Sequence, residues 1–136
     1  VASVSYHISF RSRTQGPISS GAIHKHVRDY EKDVAEELGE EAERAWRDFL
    51  NSRLRHQTPY YMTRIDTRRL AWNRYKIHDN GVIYGHWLEG TGSRNSPVTR
   101  FPGYWSMRDT KAEMKMRRRP IAEQILEQHQ ARGRLI

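Results

Sequence analysis

The sequence predicts an α+β domain: a long amphipathic helix packed on a small antiparallel sheet, with a long ordered loop and C-terminal helices. Three observations carry this. Residues Ser3–Ser12 alternate apolar and polar side chains, the period of a half-buried strand. From Ala22 to Arg55 apolar residues recur every three or four positions, the period of a helix with one buried face. Asn80-Gly81 lies between two β-rich stretches and is a strong hairpin signal, because a type I′ turn needs positive φ at both central residues.

Taken in order, Val4, Tyr6, Ile8 and Phe10 form the apolar face of the first strand. Residues 13–21 hold Gly16, Pro17 and Gly21 and read as a loop, with Ser20 placed to cap the next helix. That helix carries Val27, Tyr30, Val34, Leu38, Ala42, Ala45, Trp46, Phe49 and Leu50 as its stripe, a pattern of core packing. Arg47, Arg53 and Arg55 suit the negative end of its macrodipole, and Gly39 is its weak point. Tyr60–Asp66 is expected as a short strand, Thr67-Arg68 as a turn and Arg69–Asp79 as a second strand. Val82–Leu88 should then pair back across Asn80-Gly81, with Asp79 opposite Val82 and Ile77 opposite Tyr84. Tyr75, Ile77, Val82, Tyr84 and Leu88 would face the long helix, and Lys76, His78, Ile83 and Trp87 would face away. A helix from Tyr104 to Arg117 should be interrupted at Arg117-Arg118-Arg119-Pro120, before a short amphipathic helix marked by Ile121, Ile125 and Leu126. This divides the chain into an α+β domain over 1–119 and a helical docking segment over 120–136.

Composition narrows the function. A chain of 136 residues supports one domain. Its 36% hydrophobic content is low enough that some apolar surface is expected to be covered by neighbours. No run reaches the roughly 18 apolar residues of a membrane span. No signal-peptide pattern opens the sequence, and Val1 is expected to follow a removed initiator methionine. There is no cysteine, which excludes disulfides and thiolate metal sites. Net charge is +8, and 19 of the 24 basic residues are arginine. Arginine favours bidentate contacts to phosphate or carboxylate, so nucleic acid and acidic protein surfaces are both open as partners.

The seven histidines supply no convincing catalytic or metal site. His24 and His26 are two apart on a helix and point away from each other. The expected hairpin register puts His78 and His86 on opposite faces, and His7 lies on the polar face of its strand. Gly85-x4-Gly90 has the glycine spacing of a phosphate loop, but Thr91 stands where lysine is needed. Ser93 and Ser96 lie in no nucleophile motif. No catalytic residue, metal or cofactor is therefore expected; a small basic ribonuclease is the best enzyme alternative.

Gly90–Gly103 is unusual, since loops beyond about 12 residues are mostly functional or disordered. It combines Gly and Pro with Arg94, Arg100 and Phe101, and Tyr104 and Trp105 follow. Arginine and aromatic side chains are the ones enriched at protein interfaces.

At Tyr84-Gly-His-Trp-Leu-Glu-Gly-Thr-Gly-Ser-Arg-Asn95 and Thr99-Arg-Phe-Pro-Gly-Tyr104 the sequence resembles the small neck and tail-completion proteins of long-tailed bacteriophages, the minor head–tail joining family. Thr58-Pro-Tyr-Tyr61 stands where that family often has Thr-Gly-Tyr. The looser architecture covers Ala22 to Arg117, and the N-terminal strand and Arg-rich tail lie outside it. The resemblance implies a non-enzymatic virion component of the neck or tail, assembled in the host cytoplasm. It implies a homo-oligomeric ring, expected as a hexamer closed by head-to-tail contacts, between a head-closure protein and a tail-tube or terminator protein. DNA would pass through the lumen without sequence recognition. Glu89, Arg94, Asn95, Arg100, Phe101 and Tyr104 are the expected inter-subunit or inter-ring contacts. Arg117, Arg118, Arg119, Ile121 and Ile125 are expected to dock the C-terminal segment on an adjoining ring. The alternative is a small basic nucleic-acid-binding module.

Overall fold

The computed structural model describes residues 3–12, 21–54 and 59–133. The loop expected over 13–21, apart from Gly21, the cap at Ser20, Arg55 and Thr58 lie outside them. In order the elements are β1 (Ser5–Ser9), α1 (Gly21–Arg53), α2 (Pro59–Arg64), β2 (Asp66–Ala71), β3 (Arg74–His78), α3 (Gly85–Glu89) and α4 (Ser106–Ala131). The architecture is α+β: a three-stranded antiparallel sheet, order β1-β3-β2, against a long helix.

The stripe of α1 forms the core as its spacing predicts. Tyr30, Val34, Leu38, Ala42, Trp46 and Leu50 are buried, each four residues from the next. Burying a side chain such as Val34 or Leu50 contributes about 1.5–3 kcal/mol. Gly39 does not break the helix. It lies against the sheet, and a methyl group there would sit 3.4 Å from Thr67 Cγ2 and Tyr75 Cβ. On the sheet, Tyr6 pairs with Ile77 and Ile8 with Tyr75, facing α1, while His7 pairs with Lys76 on the opposite face.

Where a strand is expected over Tyr60–Asp66, the chain is helix α2 as far as Arg64, and only Asp66 belongs to a strand, β2. Tyr61 and Ile65 both enter the core, 1% and 3% exposed, and a separation of four shares one face in a helix and in a strand alike, so this spacing does not tell the two apart. Pro59 opens α2, where its missing N–H costs nothing. Arg47 of α1 donates to the carbonyls of Met62 and Ile65 at 2.9 and 2.8 Å, groups a helix end leaves unpaired. The turn expected at Thr67-Arg68 falls at Trp72-Asn73, so the long strand over 69–79 is divided between β2 and β3. Asn73 Nδ2 donates to the Phe10 carbonyl at 3.0 Å, tying that turn to the end of β1.

Asn80 and Gly81 take the expected positive φ, 57° and 71°, yet no hairpin follows. Both flanks of β3 are occupied, by β1 and β2, so residues 82–88 find no free edge and the register Asp79–Val82 does not form. The turn is held locally: Gly81 N–H donates to Asp79 Oδ1 at 3.0 Å, and Asn80 Nδ2 to the Arg64 carbonyl at 2.6 Å. Asp79 is fully buried and accepts from the Tyr61 hydroxyl at 2.9 Å. Burial, then the Asp79 charge, pushes the Tyr61 pKa far up.

The break expected at Pro120 is also absent, and α4 is continuous through it. Packing on α1 holds both halves in line. Met114, Ile125 and His129 are buried, the Tyr30 hydroxyl donates to the Ala122 carbonyl at 3.0 Å, and His129 Nε2 lies 2.7 Å from Asp33. Trp46 Nε1 donates to Ser106 Oγ at 3.2 Å, so α4 runs antiparallel to α1. The division at 119/120 therefore does not appear as a structural boundary, and residues 120–131 share the core through Ile125 and His129. Proline inside a helix loses one backbone bond and crowds the preceding turn. Pro120→Ala should accordingly stabilise the chain by about 1–2 kcal/mol. Chemical denaturation measures this, and an unchanged midpoint would refute it.

Candidate protein-interaction site

The loop from Gly90 to Gly103 leaves α3 and enters α4, and both ends are anchored. The carbonyl of His86 accepts from the amides of Gly90, Thr91 and Gly92 at 2.9, 3.0 and 3.1 Å. At the other end Tyr104 N–H donates to Leu88 at 2.7 Å, and Trp105 N–H to Glu89 at 2.9 Å. The two strands of chain meet at Gly90 and Gly103, both at positive φ, 110° and 95°. A Cβ on Gly103 would overlap the backbone of Gly90; only glycine permits this approach.

Asn95 holds the interior of the loop. It is 4% exposed; its Oδ1 accepts from Gly92 N–H at 2.7 Å, and its Nδ2 donates to the carbonyls of Trp87 and Phe101 at 3.0 and 3.3 Å. Phe101 packs between Trp87 and Tyr104, with ring centroids 4.7 and 5.1 Å away. Such aromatic pairs add about 0.5–1.5 kcal/mol beyond area burial. The peptide bond Ser96-Pro97 is cis.

Glu89 joins the loop to α4. Its carboxylate is buried and accepts from the amides of Met107 and Arg108 at 2.7 and 2.9 Å, with Ser106 Oγ at 3.4 Å. A carboxylate at a helix start satisfies orphan amides and meets the positive end of the dipole. Burial raises the Glu89 pKa, against the opposing pull of those hydrogen bonds. From α1, Arg53 donates to the Tyr104 carbonyl at 2.9 Å and pairs with Asp109 at 2.6 Å. Although desolvation acts to raise the Asp109 pKa, hydrogen bonds from Arg53 and Arg108 hold it below the usual value.

The six loop residues expected as contacts thus divide. Glu89, Asn95 and, in larger part, Phe101 and Tyr104 turn inward and build the loop. Arg94 and Arg100 are exposed at its tip, with Val98, 69% exposed, between them. The tail residues also divide. Arg117 pairs with Glu41 and Glu113 of the same chain at 3.2 and 2.9 Å, and Arg119 with Glu123 at 3.2 Å. Arg118 is exposed beside Tyr6, Ile121 is half-buried and Ile125 is buried.

A feature not singled out as a site is the groove between α1 and α4. It has a volume of about 600 Å³; Glu36, Glu37 and Glu40 line one wall, and Met116, Pro120 and Ile121 the other. Its signal was in the sequence, since nine of the 16 acidic residues fall between Asp29 and Asp48. Their alignment over an apolar strip needed the position of α4. Burial, then repulsion from Glu40 and Glu41, raises the Glu37 pKa.

The histidines do not converge. His78 Nδ1 accepts from Asn80 N–H at 3.1 Å, and its pKa is lowered, first by burial. His86 Nδ1 lies 2.7 Å from Thr91 Oγ1. Among the described residues no group of three or more His, Cys, Asp or Glu is placed to hold a metal ion, and no helix is long and apolar enough to cross a membrane. Outside the loop, Arg68, Arg74 and Lys76 occupy the face of the sheet turned away from α1. Compared with known proteins, the chain matches no family model, no curated protein and no solved structure.

Proposed function

We propose that this chain is a structural protomer of the head–tail connector of a long-tailed bacteriophage, a neck, tail-completion or tail-terminator protein that assembles as a ring around the DNA channel. The observation that carries the proposal is the division of labour within the motif that resembles this family. Glu89, Asn95 and the Gly90–Gly103 contact build a rigid projection, and that projection presents Arg94, Val98 and Arg100 to solvent. A rigid loop loses little further conformational freedom on binding. This construction suits a surface made for joining protein to protein. The partners are further copies in a ring, taken as a hexamer, with a head-closure protein on one side and a tail-tube or terminator protein on the other. DNA passes without sequence recognition. The protein resides in the virion neck or tail after assembly in the host cytoplasm, and it has no enzymatic role. Mass spectrometry of purified particles should find it at a fixed low ratio to the major tail protein. Its absence from intact virions would refute the proposal.

The basic sheet face of Arg68, Arg74 and Lys76 favours a second reading, a nucleic-acid-binding module. Such a module binds free duplex, with affinity falling steeply as salt rises. Weak binding without that salt slope, together with presence in particles, favours the connector.

A further inference from the structure

We propose that the groove between α1 and α4 seats the 90–103 loop of a second copy of this chain, so that copies join head to tail. The inference deepens the ring reading and rests on it. The groove is more than a set of acids. Glu36, Glu37 and Glu40 stand along one wall, and Met116, 77% exposed, lies with Pro120 and Ile121 along the other. Of the two cations that line the groove, Arg117 is committed to Glu41 and Glu113, whereas Arg132 makes no ion pair among the described residues; Asp33 pairs with His129, and Arg44 with Glu41. Among the described residues no cation lies within ion-pair distance of Glu36, Glu37 or Glu40. The crowding of Glu37 against Glu40 and Glu41 means that an arriving cation relieves repulsion as well as forming a pair.

The loop tip has the complementary chemistry. Arg94 and Arg100 are exposed and have no ion-pair partner among the described residues, and Val98 between them offers an apolar contact. Two arginines beside an apolar residue match a wall of carboxylates that faces an apolar wall. Arginine forms the directional, charge-assisted bonds that give such contacts their register. The loop cannot fill its own groove. Its base is held at the C-terminal end of α1 by Arg53, whereas Glu37 lies sixteen positions earlier on that helix, about 24 Å away at 1.5 Å per residue. Tip and groove are different patches, so their contact is heterologous, and repetition yields a closed ring or an open filament.

The absence of cysteine provides a clean test. A chain carrying both Arg94→Cys and Glu40→Cys should, on oxidation, give a ladder of covalent oligomers on a denaturing gel that collapses with reductant. Neither single-cysteine chain should pass beyond a dimer. In sedimentation velocity, Arg94→Glu with Arg100→Glu should weaken self-association by about tenfold or more. Glu36→Lys with Glu40→Lys should do the same. All four reversals in one chain should restore association, because each interface then carries exchanged charges. All of these positions are solvent-facing, and circular dichroism checks that each variant is folded. A wild-type chain that stays monomeric at every concentration overturns the inference. So does association indifferent to the reversals, or loss of binding only to a different protein. A ring that forms but ignores these charges refutes the loop–groove contact and leaves the connector reading intact, since particle content tests that reading separately.

Discussion

Replacing Gly103 with alanine should cost about 4 kcal/mol or more, the range reserved for gross steric or electrostatic faults. The new Cβ would overlap the Cα and N of Gly90, which are backbone atoms and cannot swing aside. The residue would also be held at φ 95°, where a side chain is strained. Relief requires the two ends of the loop to part. That breaks the bonds from Tyr104 N–H to Leu88 and from Trp105 N–H to Glu89. Arg100→Ala, at the exposed tip, should leave stability within about 0.5 kcal/mol of wild type. Urea denaturation of the two variants is the test. Equal stabilities would show that the loop is not held by its base.

Glu89→Ala should cost about 2–4 kcal/mol, because it leaves the amides of Met107 and Arg108 without acceptors inside the protein. Glu89→Gln should cost about 1 kcal/mol or less at neutral pH, since an amide oxygen still caps the helix and no charge is buried. The two variants also separate in their pH dependence. Burial raises the folded-state pKa of Glu89, so within the window between the ordinary carboxylate value and the raised one the folded chain holds more protons than the unfolded chain. Stability from this group therefore falls as pH rises through that window, and it is greatest below it. The Gln variant should lack that component of the fall. A wild type and Gln variant with parallel stability–pH curves would contradict it.

Periodicity was a good guide in the first strand and the long helix, where one face of a long, regular element meets the core. The stripe of α1 and the alternation of β1 both follow from it, and residues Val4 and Ile8 are buried as expected. Local backbone chemistry was legible too: Asn80-Gly81 takes positive φ. What could not be read locally was the partner of β3. A turn residue shows that the chain reverses, but the edge it reverses toward was already filled by β1, distant in sequence. Pro120 failed as a breaker because the helix around it is held in line by Ile125, His129 and Tyr30. For the candidate site, its position in the chain was legible from Arg, Gly and aromatic content. The orientation of its side chains was not. Glu89 and Asn95 look like surface residues in a polar stretch, and their inward roles depend on amides that only the folded loop and α4 supply.

The central place of β3 also governs the order in which the chain can fold. Ser5 pairs with His78, so β1 cannot dock until most of the polypeptide is available. β2 and β3, joined by a tight turn, meet early and cheaply. Closing the longer loop carries an entropic cost that the later contacts must recover, and such distant pairings slow folding. During synthesis β1 and α1 emerge first, with Val4 and Ile8 uncovered until β3 follows. Until β1 arrives, β3 keeps one open flank, and an open flank on a strand is a template for pairing with a neighbouring chain. That interval is when correct docking of β1 and aggregation compete.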